Sequence, residues 1–270
     1  MKNAQQACGF NGGPSLTYDR IVALGGVPDR LDKDPEMIAA LAKAAAKAKG
    51  CNFVVLPFGS TAEAKALGAE ILPWDEQSGP RPGKYTLFDL RELKEADIAA
   101  APQVKAMLEA CRLLKRQGIR VAYEISGPLS ILSCLMDLTI LFKQWRKDGE
   151  LMQGVFALFQ GMLSDYLKEI CDAGADVISY ADPAGNPAIL GPRFSHWLND
   201  WFLRAFLMQA LTICCDRNKS LVLCPMLAAG LKEEGLPARE GNRIRACCIG
   251  NVKEVRLTDA EGKRTADPYP

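Results

Sequence analysis

Polar or reactive side chains end several short apolar runs of this chain. Ser126, Asp182 and Cys224 each stand at the end of one run, and Cys247 and Cys248 lie in another. Continuous apolar runs bounded by Gly and Pro predict strands buried on both faces, and helical segments lie between most of them. Ligands of such sheets and barrels bind at the carboxyl ends of the strands, which predicts a site there. The runs are Val121–Pro128, Ala175–Pro183, Ser220–Pro225 and Arg245–Gly250.

Two acidic residues are candidates for catalysis. Asp182 precedes a proline at a strand end, where a carboxylate can bind a cation, orient a substrate or act as an acid. Its alternative role is that of a helix N-cap or Asx-turn residue. Glu124 lies within an otherwise apolar strand, so it either faces the interior of a barrel or pairs with a basic residue such as Arg120.

Four further residues are candidates for substrate binding. Ser126, Gly127 and Ser130 surround a Gly-Pro turn that leads from a strand into a helix, where free N–H groups can bind an anion, although Gly-Pro is also a common turn. His196 is the sole histidine and lies at the start of a predicted helix. A partly buried helix residue is the favoured interpretation of His196, and a ligand or base is the alternative.

The ten cysteines do not indicate a disulfide scaffold, because the chain is long and its first residues are too polar for a secretory signal. Cys224 is either a functional thiol or metal ligand, or a buried structural cysteine. Cys247 and Cys248 are adjacent on a predicted strand, so only one of them can reach a cleft shared with Cys224. Four others lie within apolar patterns typical of packing: Cys51, Cys111, Cys134 and Cys171.

Composition excludes several classes of protein. The 33 Lys and Arg residues balance 32 Asp and Glu, which gives a net charge of +1 and no electrostatic case for nucleic acid. No apolar stretch approaches the roughly 20 residues that a bilayer requires. We therefore expect a cytoplasmic protein that binds neither nucleic acid nor membrane.

The pattern along the chain predicts a single α/β domain over residues 1–270, with a helical extension over 1–50 and a C-terminal hairpin or tail over 252–270. About five strong strands alternate with helices, which indicates a TIM-barrel-like fold that falls short of eight strands. The predicted strands are Asn52–Pro57, Ile119–Ile125, Asp176–Ala181, Val222–Cys224 and Arg243–Ile249. The predicted helices are an Ala/Lys-rich run from Pro35 to Lys49, Thr61–Leu67, Gln103–Gln117, most of Pro128–Ala173, Ser195–Arg217 and a segment around Leu227–Glu234.

Several segments in this order resemble the uroporphyrinogen decarboxylase superfamily, which also contains zinc-dependent methyltransferases that demethylate a methyl-corrinoid protein. The segments are Tyr18–Leu24, Val27–Arg30, Gly68–Ile71, Ile125–Ser130, Asp165–Lys168, Ala173–Pro183 and Ile249–Asn251. The resemblance implies a TIM-type barrel with its cleft at the strand carboxyl ends. The chain is most similar to the methyltransferase branch, since no arginine-rich N-terminal segment like that of the decarboxylases occurs.

The methyltransferase branch carries a His-x-Cys pair on the strand that corresponds to Ser220–Pro225, and a second cysteine further on. Cys224 matches the first cysteine, whereas Val222 stands where the histidine would be. The resemblance implies a zinc site that holds an acceptor thiolate, with Cys224, Cys247 and Cys248 as candidate ligands. The departure at Val222 removes one ligand.

The resemblance thus predicts a methyltransferase that moves a methyl group between a methyl-corrinoid (cobalamin) carrier protein and a thiol or pterin acceptor. A decarboxylase of tetrapyrrole side chains, with Asp182 or Glu124 stabilising a pyrrolic cation, is one alternative. A catalytically silent relative that binds a corrinoid or a partner is the other. Aromatic residues from Trp197 to Phe206 predict either core packing or a subunit interface, which would make a homodimer.

Overall fold

A five-stranded parallel sheet organises the chain. The computed structural model describes residues 16–76, 78–228, 231, 238–239, 242–243 and 245–246. In chain order the strands are β1 (Val54–Leu56), β2 (Ile71–Leu72), β3 (Arg81–Pro82), β4 (Val121–Ser126), β5 (Val177–Ala181), β6 (Ser220–Leu223), β7 (Ala238–Arg239), β8 (Asn242–Arg243) and β9 (Arg245–Ala246).

Helices connect these strands. They are α1 (Tyr18–Ala23), α2 (Pro35–Lys49), α3 (Ala62–Ala66), α4 (Pro102–Arg116), α5 (Pro128–Leu135), α6 (Leu138–Lys147), α7 (Gly149–Asp172), α8 (Pro187–Leu198), α9 (Arg204–Asp216) and α10 (Pro225–Ala228). Short 3₁₀ turns cover Pro28–Arg30, Leu90–Glu92, Ile98–Ala100 and Pro183–Gly185, and a π-turn covers Asn199–Leu203. Within the described residues, no helix is both long and apolar enough to cross a membrane.

The order of the main sheet is β1-β4-β5-β6-β9, and all four pairings are parallel. Each strand therefore lies beside the next long strand of the chain, as in a β/α barrel, with helices making the crossovers. The five strands and their order confirm the predicted alternation of strands and helices. The two remaining sheets are small antiparallel pairs, β2 with β3 and β7 with β8.

The two faces of the main sheet differ in what covers them. Alternate residues such as Tyr123 and Ile178 belong to the large core that the helices share. The intervening residues, among them Ala122, Val177 and Val222, form a small separate cluster on the opposite face. We call this second face the inner face of the sheet. Side chains on it at the strand carboxyl ends are positioned for ligand binding.

Local sequence explains where α2 begins and ends. Asp34 accepts a hydrogen bond from the backbone N–H of Met37 at 3.0 Å, and Pro35 occupies the first helical position. Gly50 ends the helix in the left-handed conformation, with φ of 65°. The N-cap, proline and glycine read from the sequence are confirmed.

The region predicted as one long amphipathic stretch is three helices. Asp137 caps α6 by accepting hydrogen bonds from the backbone of Thr139 and Ile140, and Asp148 caps α7 by accepting one from Leu151. Each aspartate satisfies N–H groups that a new helix leaves unpaired, so each starts a helix inside the apolar pattern. Periodicity alone did not separate these helices.

Other predicted bounds also shift. The helix predicted over Ser195–Arg217 begins earlier, at Pro187, kinks at Gly191 and passes through the π-turn before α9. The Gly- and Pro-rich segment after Pro73 is an ordered excursion, since β3 pairs with β2. Beyond α10, residues 232–237 and the predicted tail at 252–270 lie outside the described residues.

Candidate functional site

Glu124 lies on the inner face of the sheet, as one of the two sequence interpretations predicts. It is in register with Ser179 of β5, and the Ser179 hydroxyl donates a hydrogen bond to its Oε2 at 3.4 Å. Burial is the main cause that raises the pKa of Glu124 to about 7, and the nearby Glu63 carboxyl raises it further. Within the described part of the chain no cation pairs with Glu124. A carboxyl with this pKa can exchange a proton near neutral pH.

Residues in register with Glu124 form a row on the inner face that leads across the sheet toward Cys224. We call it the inner-face row. Ser179 is in register with Val222 of β6, and Cys224 follows that strand. Alternation places Cys224 on the same face as Val222. Cys224 is buried and takes no part in a disulfide, and its backbone N–H donates to the Tyr180 carbonyl at 2.9 Å.

Ser126 ends β4 and is held by a carboxyl that the sequence did not single out. Glu63, on α3, accepts hydrogen bonds from the Ser126 backbone N–H at 3.0 Å and from its hydroxyl at 3.3 Å. Glu63 is 0% exposed, and burial raises its pKa. The signal in the sequence was a lone Glu among the alanines of a helix that follows a strand end. Its burial depends on contacts 63 residues away, which helix propensity cannot predict.

Asp182 lies on the helix side of the sheet and caps α5. Its carboxylate accepts hydrogen bonds from the backbone N–H groups of Leu129 and Ser130 at 3.2 and 2.8 Å, and from the Ser130 hydroxyl at 2.6 Å. The side chain is 1% exposed. Burial raises its pKa to about 6, and these hydrogen bonds oppose that shift. The predicted alternative was a local N-cap or Asx turn, but the side chain makes no cap bond to the turn that follows it and caps the distant helix α5 instead. A catalytic role stays a prediction.

Gly127 permits this arrangement by its size. A Cβ at Gly127 would meet the Tyr180 hydroxyl and come within 2.5 Å of the Asp182 Cβ. Ser130 is equally enclosed, because its hydroxyl donates to Asp182 and accepts from the Ala184 backbone N–H at 3.2 Å. The N–H groups expected to bind an anion at this turn therefore bind the Asp182 carboxylate.

His196 is more exposed than the sequence predicted. It stands in the last turn of α8, 68% exposed, with its Nε2 3.1 Å from the Asp200 carboxylate. The backbone breaks at Gly191, where φ is 69°, so His196 lies early in the helical run that follows, close to the predicted helix start. The expectation of partial burial is wrong, because the side chain points to solvent. The hydrogen bonds that join Glu124, Ser126, Ser130 and Asp182 to their neighbours do not involve His196.

The described residues do not complete a metal site. They contain no group of three or more His, Cys, Asp or Glu side chains that could hold an ion. Cys224 is the one predicted zinc ligand among them, and Val222 beside it is apolar. Cys247 and Cys248 lie outside the described residues. The residues in view thus do not fit zinc by themselves, and the predicted ligand set stays a prediction.

The parallel sheet, with polar side chains at its carboxyl edge, defines a barrel-type α/β protein, and comparison supplies the family. A family model described as "Uroporphyrinogen decarboxylase (URO-D)" matches residues 15–198. The chain belongs to this family, which confirms the resemblance seen in the sequence.

Two curated relatives share one kind of name. The chain is 25% identical over 258 residues to a "Methylcobamide:CoM methyltransferase MtaA" of Methanosarcina barkeri, across 88% of this chain and 76% of the relative. It is 24% identical over 186 residues to a "Methylcobamide:CoM methyltransferase MtbA" of Methanosarcina acetivorans, across 67% of this chain and 54% of that relative.

A solved structure supports the fold. A "methyltransferase from Methanosarcina mazei" superposes with a TM-score of 0.66 at 23% identity and covers 78% of this chain. This chain spans 62% of the length of that structure. The TIM-barrel-like fold predicted from the sequence is therefore confirmed.

Proposed function

We propose that this protein is a methyltransferase that moves a methyl group between a methyl-corrinoid, carried by a partner protein, and a thiol or pterin acceptor. The observation that carries the proposal is Glu124, a carboxyl within β4 on the inner face of the sheet, whose pKa is raised to about 7. It lies in a row with Ser179 and with the strand that leads to Cys224. The names of the relatives, which pair a methylcobamide with CoM, supply the substrate class.

Glu124 has the properties that a proton acceptor for a thiol requires. A methyl-corrinoid supplies an electrophilic methyl group, and the thiolate is the nucleophile that takes it. The acceptor thiol must therefore lose a proton as the new sulfur–carbon bond forms and the carbon–cobalt bond breaks, with its electron pair remaining on cobalt. Glu124 receives that proton on an oxygen other than the one that Ser179 contacts.

The zinc assistance that the resemblance implies rests on Cys224 and one of Cys247 and Cys248. When bound, zinc would lower the pKa of the acceptor thiol. No proton or methyl step above depends on it. Val222 and the missing third ligand in the described residues favour a second candidate function, a relative that binds a corrinoid or a partner without turnover.

The decisive experiment is demethylation of methylcobalamin with coenzyme M, other thiols and a pterin, followed by the absorbance of the cobalt species. We expect turnover whose rate rises as Glu124 deprotonates near pH 7. Glu124→Gln should lower the rate by roughly a hundredfold and remove that rise. Glu95→Gln, at an exposed glutamate, is the matched control and should leave both unchanged.

Absence of demethylation with every acceptor, in protein of intact fold, would refute the methyltransferase and leave the silent relative. Metal analysis of protein purified without chelator separates the zinc component. Near-stoichiometric zinc that is lost in Cys224→Ser supports zinc assistance. Active enzyme that contains no metal would refute zinc assistance and leave the methyl transfer in place. The cytoplasmic location and the homodimer stay predictions.

A further inference from the structure

A cavity of about 330 Å³ lies at the carboxyl end of β1. It is lined by the segment 28–33, the loop that follows β1, α3, the first turns of α4, and the four residues Ile71, Pro73, Trp74 and Pro80. Glu124, Ser126, Asp182 and Cys224 do not line it. Its volume falls in the range of pockets that enclose small organic ligands.

The walls of the cavity are flat and stiff. Trp74 and Phe58 contribute aromatic surface, and four prolines line the space with rings that have little conformational freedom to lose. Gly79 packs against the six-membered ring of Trp74, where a Cβ would lie 3.1 Å from Cζ3. Because such walls present aromatic faces at fixed positions, they suit a planar ring that stacks.

The polar groups of the cavity carry balanced charge. Lys65 and Asp32 form an ion pair at 3.0 Å, and Lys33 and Asp29 add one charge of each sign. Gln103, nearly buried, donates its side-chain amide to the Ala62 carbonyl at 3.1 Å, which leaves its Oε1 as an acceptor. Donors and acceptors thus occur together without excess charge, which disfavours phosphorylated or otherwise polyanionic ligands.

We infer that this cavity binds a neutral planar heterocycle that carries both hydrogen-bond donors and acceptors. Pterins and nucleobases share this chemistry. The ring stacks against Trp74, and its polar edge meets the amide and the ion pair. The cavity shares none of the groups of the inner-face row, so its ligand binding can be tested separately from the methyl transfer proposed above.

Calorimetric titration of the full chain with 6-methylpterin, adenosine and AMP tests the inference. We expect saturable binding of at least one of the two neutral heterocycles, and AMP should bind no more tightly than adenosine. Trp74→Leu should weaken the binding by roughly tenfold, in the range found when base–aromatic stacking is removed. The affinities of 6-methylpterin and adenosine, compared with each other, show which kind of ring the cavity prefers.

A blocking variant and its control make the test specific to the cavity. Gly59 lines the cavity, and a Cβ built on it meets nothing within 4 Å, so Gly59→Phe adds a bulky ring at the cavity wall without overlap and should weaken binding. Gly161 on α7 is equally open but lies outside the cavity, so Gly161→Phe should bind like the parent protein. Thermal unfolding of each variant verifies its fold.

Three results would overturn the inference. The first is no saturable binding of either neutral heterocycle, and the second is binding that persists unchanged in both Gly59→Phe and Trp74→Leu. The third is tighter binding of AMP than of adenosine, which would contradict the argument from balanced charge.

Discussion

The buried cap Asp182 should make the protein less stable as pH rises, which is opposite to the usual behaviour of a paired carboxylate. Burial raises its pKa from the ordinary 3.8 to about 6. The folded state therefore binds a proton more tightly than the unfolded state, and that contribution is lost as pH rises through 6. Between pH 5 and pH 7.5, linkage with these two pKa values gives a loss of about 1.4 kcal/mol.

Asp182→Asn isolates this contribution, because the amide does not titrate. Its oxygen can still accept the hydrogen bonds from Ser130, whereas its NH₂ group cannot accept the one from Leu129, at a cost of about 1 kcal/mol. The stability of the parent relative to this variant should therefore fall by about 1.4 kcal/mol between pH 5 and pH 7.5.

Urea unfolding of both proteins at the two pH values measures the difference. Asp165→Asn, at an aspartate whose side chain is 77% exposed, controls for removal of a charge. Because other buried carboxyls also titrate, the decisive quantity is the difference between parent and variant at each pH. A difference that stays constant, or that grows toward pH 7.5, would refute the argument that Asp182 is destabilised by burial.

Three further outcomes test the site. Gly127→Ala should lower the free energy of unfolding by about 1–3 kcal/mol, since its Cβ overlaps the buried Tyr180 hydroxyl and the Asp182 side chain. Gly154→Ala, in open space on α7, should not destabilise the protein. Equal urea midpoints for the two variants would contradict this. Glu63→Ala should cost about 1–3 kcal/mol in the same assay, because it leaves the buried Ser126 N–H without an acceptor, while the Ser126 hydroxyl can still donate to the Ser60 carbonyl. Glu63→Gln, which keeps an acceptor, should cost less, and the reverse order would contradict this argument. Val222→His should raise the zinc content of purified protein, and the gain should disappear when Cys224→Ser is added; a histidine that leaves the zinc content unchanged would count against a metal site at this strand end.

The fold was largely predictable because its signals are local. Short apolar runs bounded by Gly and Pro predicted the five strands, and the Asp34-Pro35 cap and Gly50 predicted the limits of α2. The breaks between α5, α6 and α7 were missed, since Asp137 and Asp148 act by capping helices inside an apolar pattern that continues past them.

The candidate site was predictable in part. Ser126 ends β4, Glu124 lies within that strand and Cys224 follows β6, as the sequence predicted, because alternation within a strand is a local property. Glu63 was missed, and the side chain of His196 is exposed where the sequence predicted partial burial. The burial of Glu63 and the exposure of His196 both depend on how their helices pack against the rest of the chain.

By itself, then, the sequence determined the alternation of strands and helices, the family, and which polar residues end the strands. Only the tertiary structure decided their contacts. It joined Glu63 to Ser126 and turned Asp182 back into the N-terminus of α5, across 63 and 52 residues respectively. The physical reason is that parallel pairing brings distant segments together, and burial there changes the proton affinity of carboxyls that have ordinary pKa values in the unfolded chain.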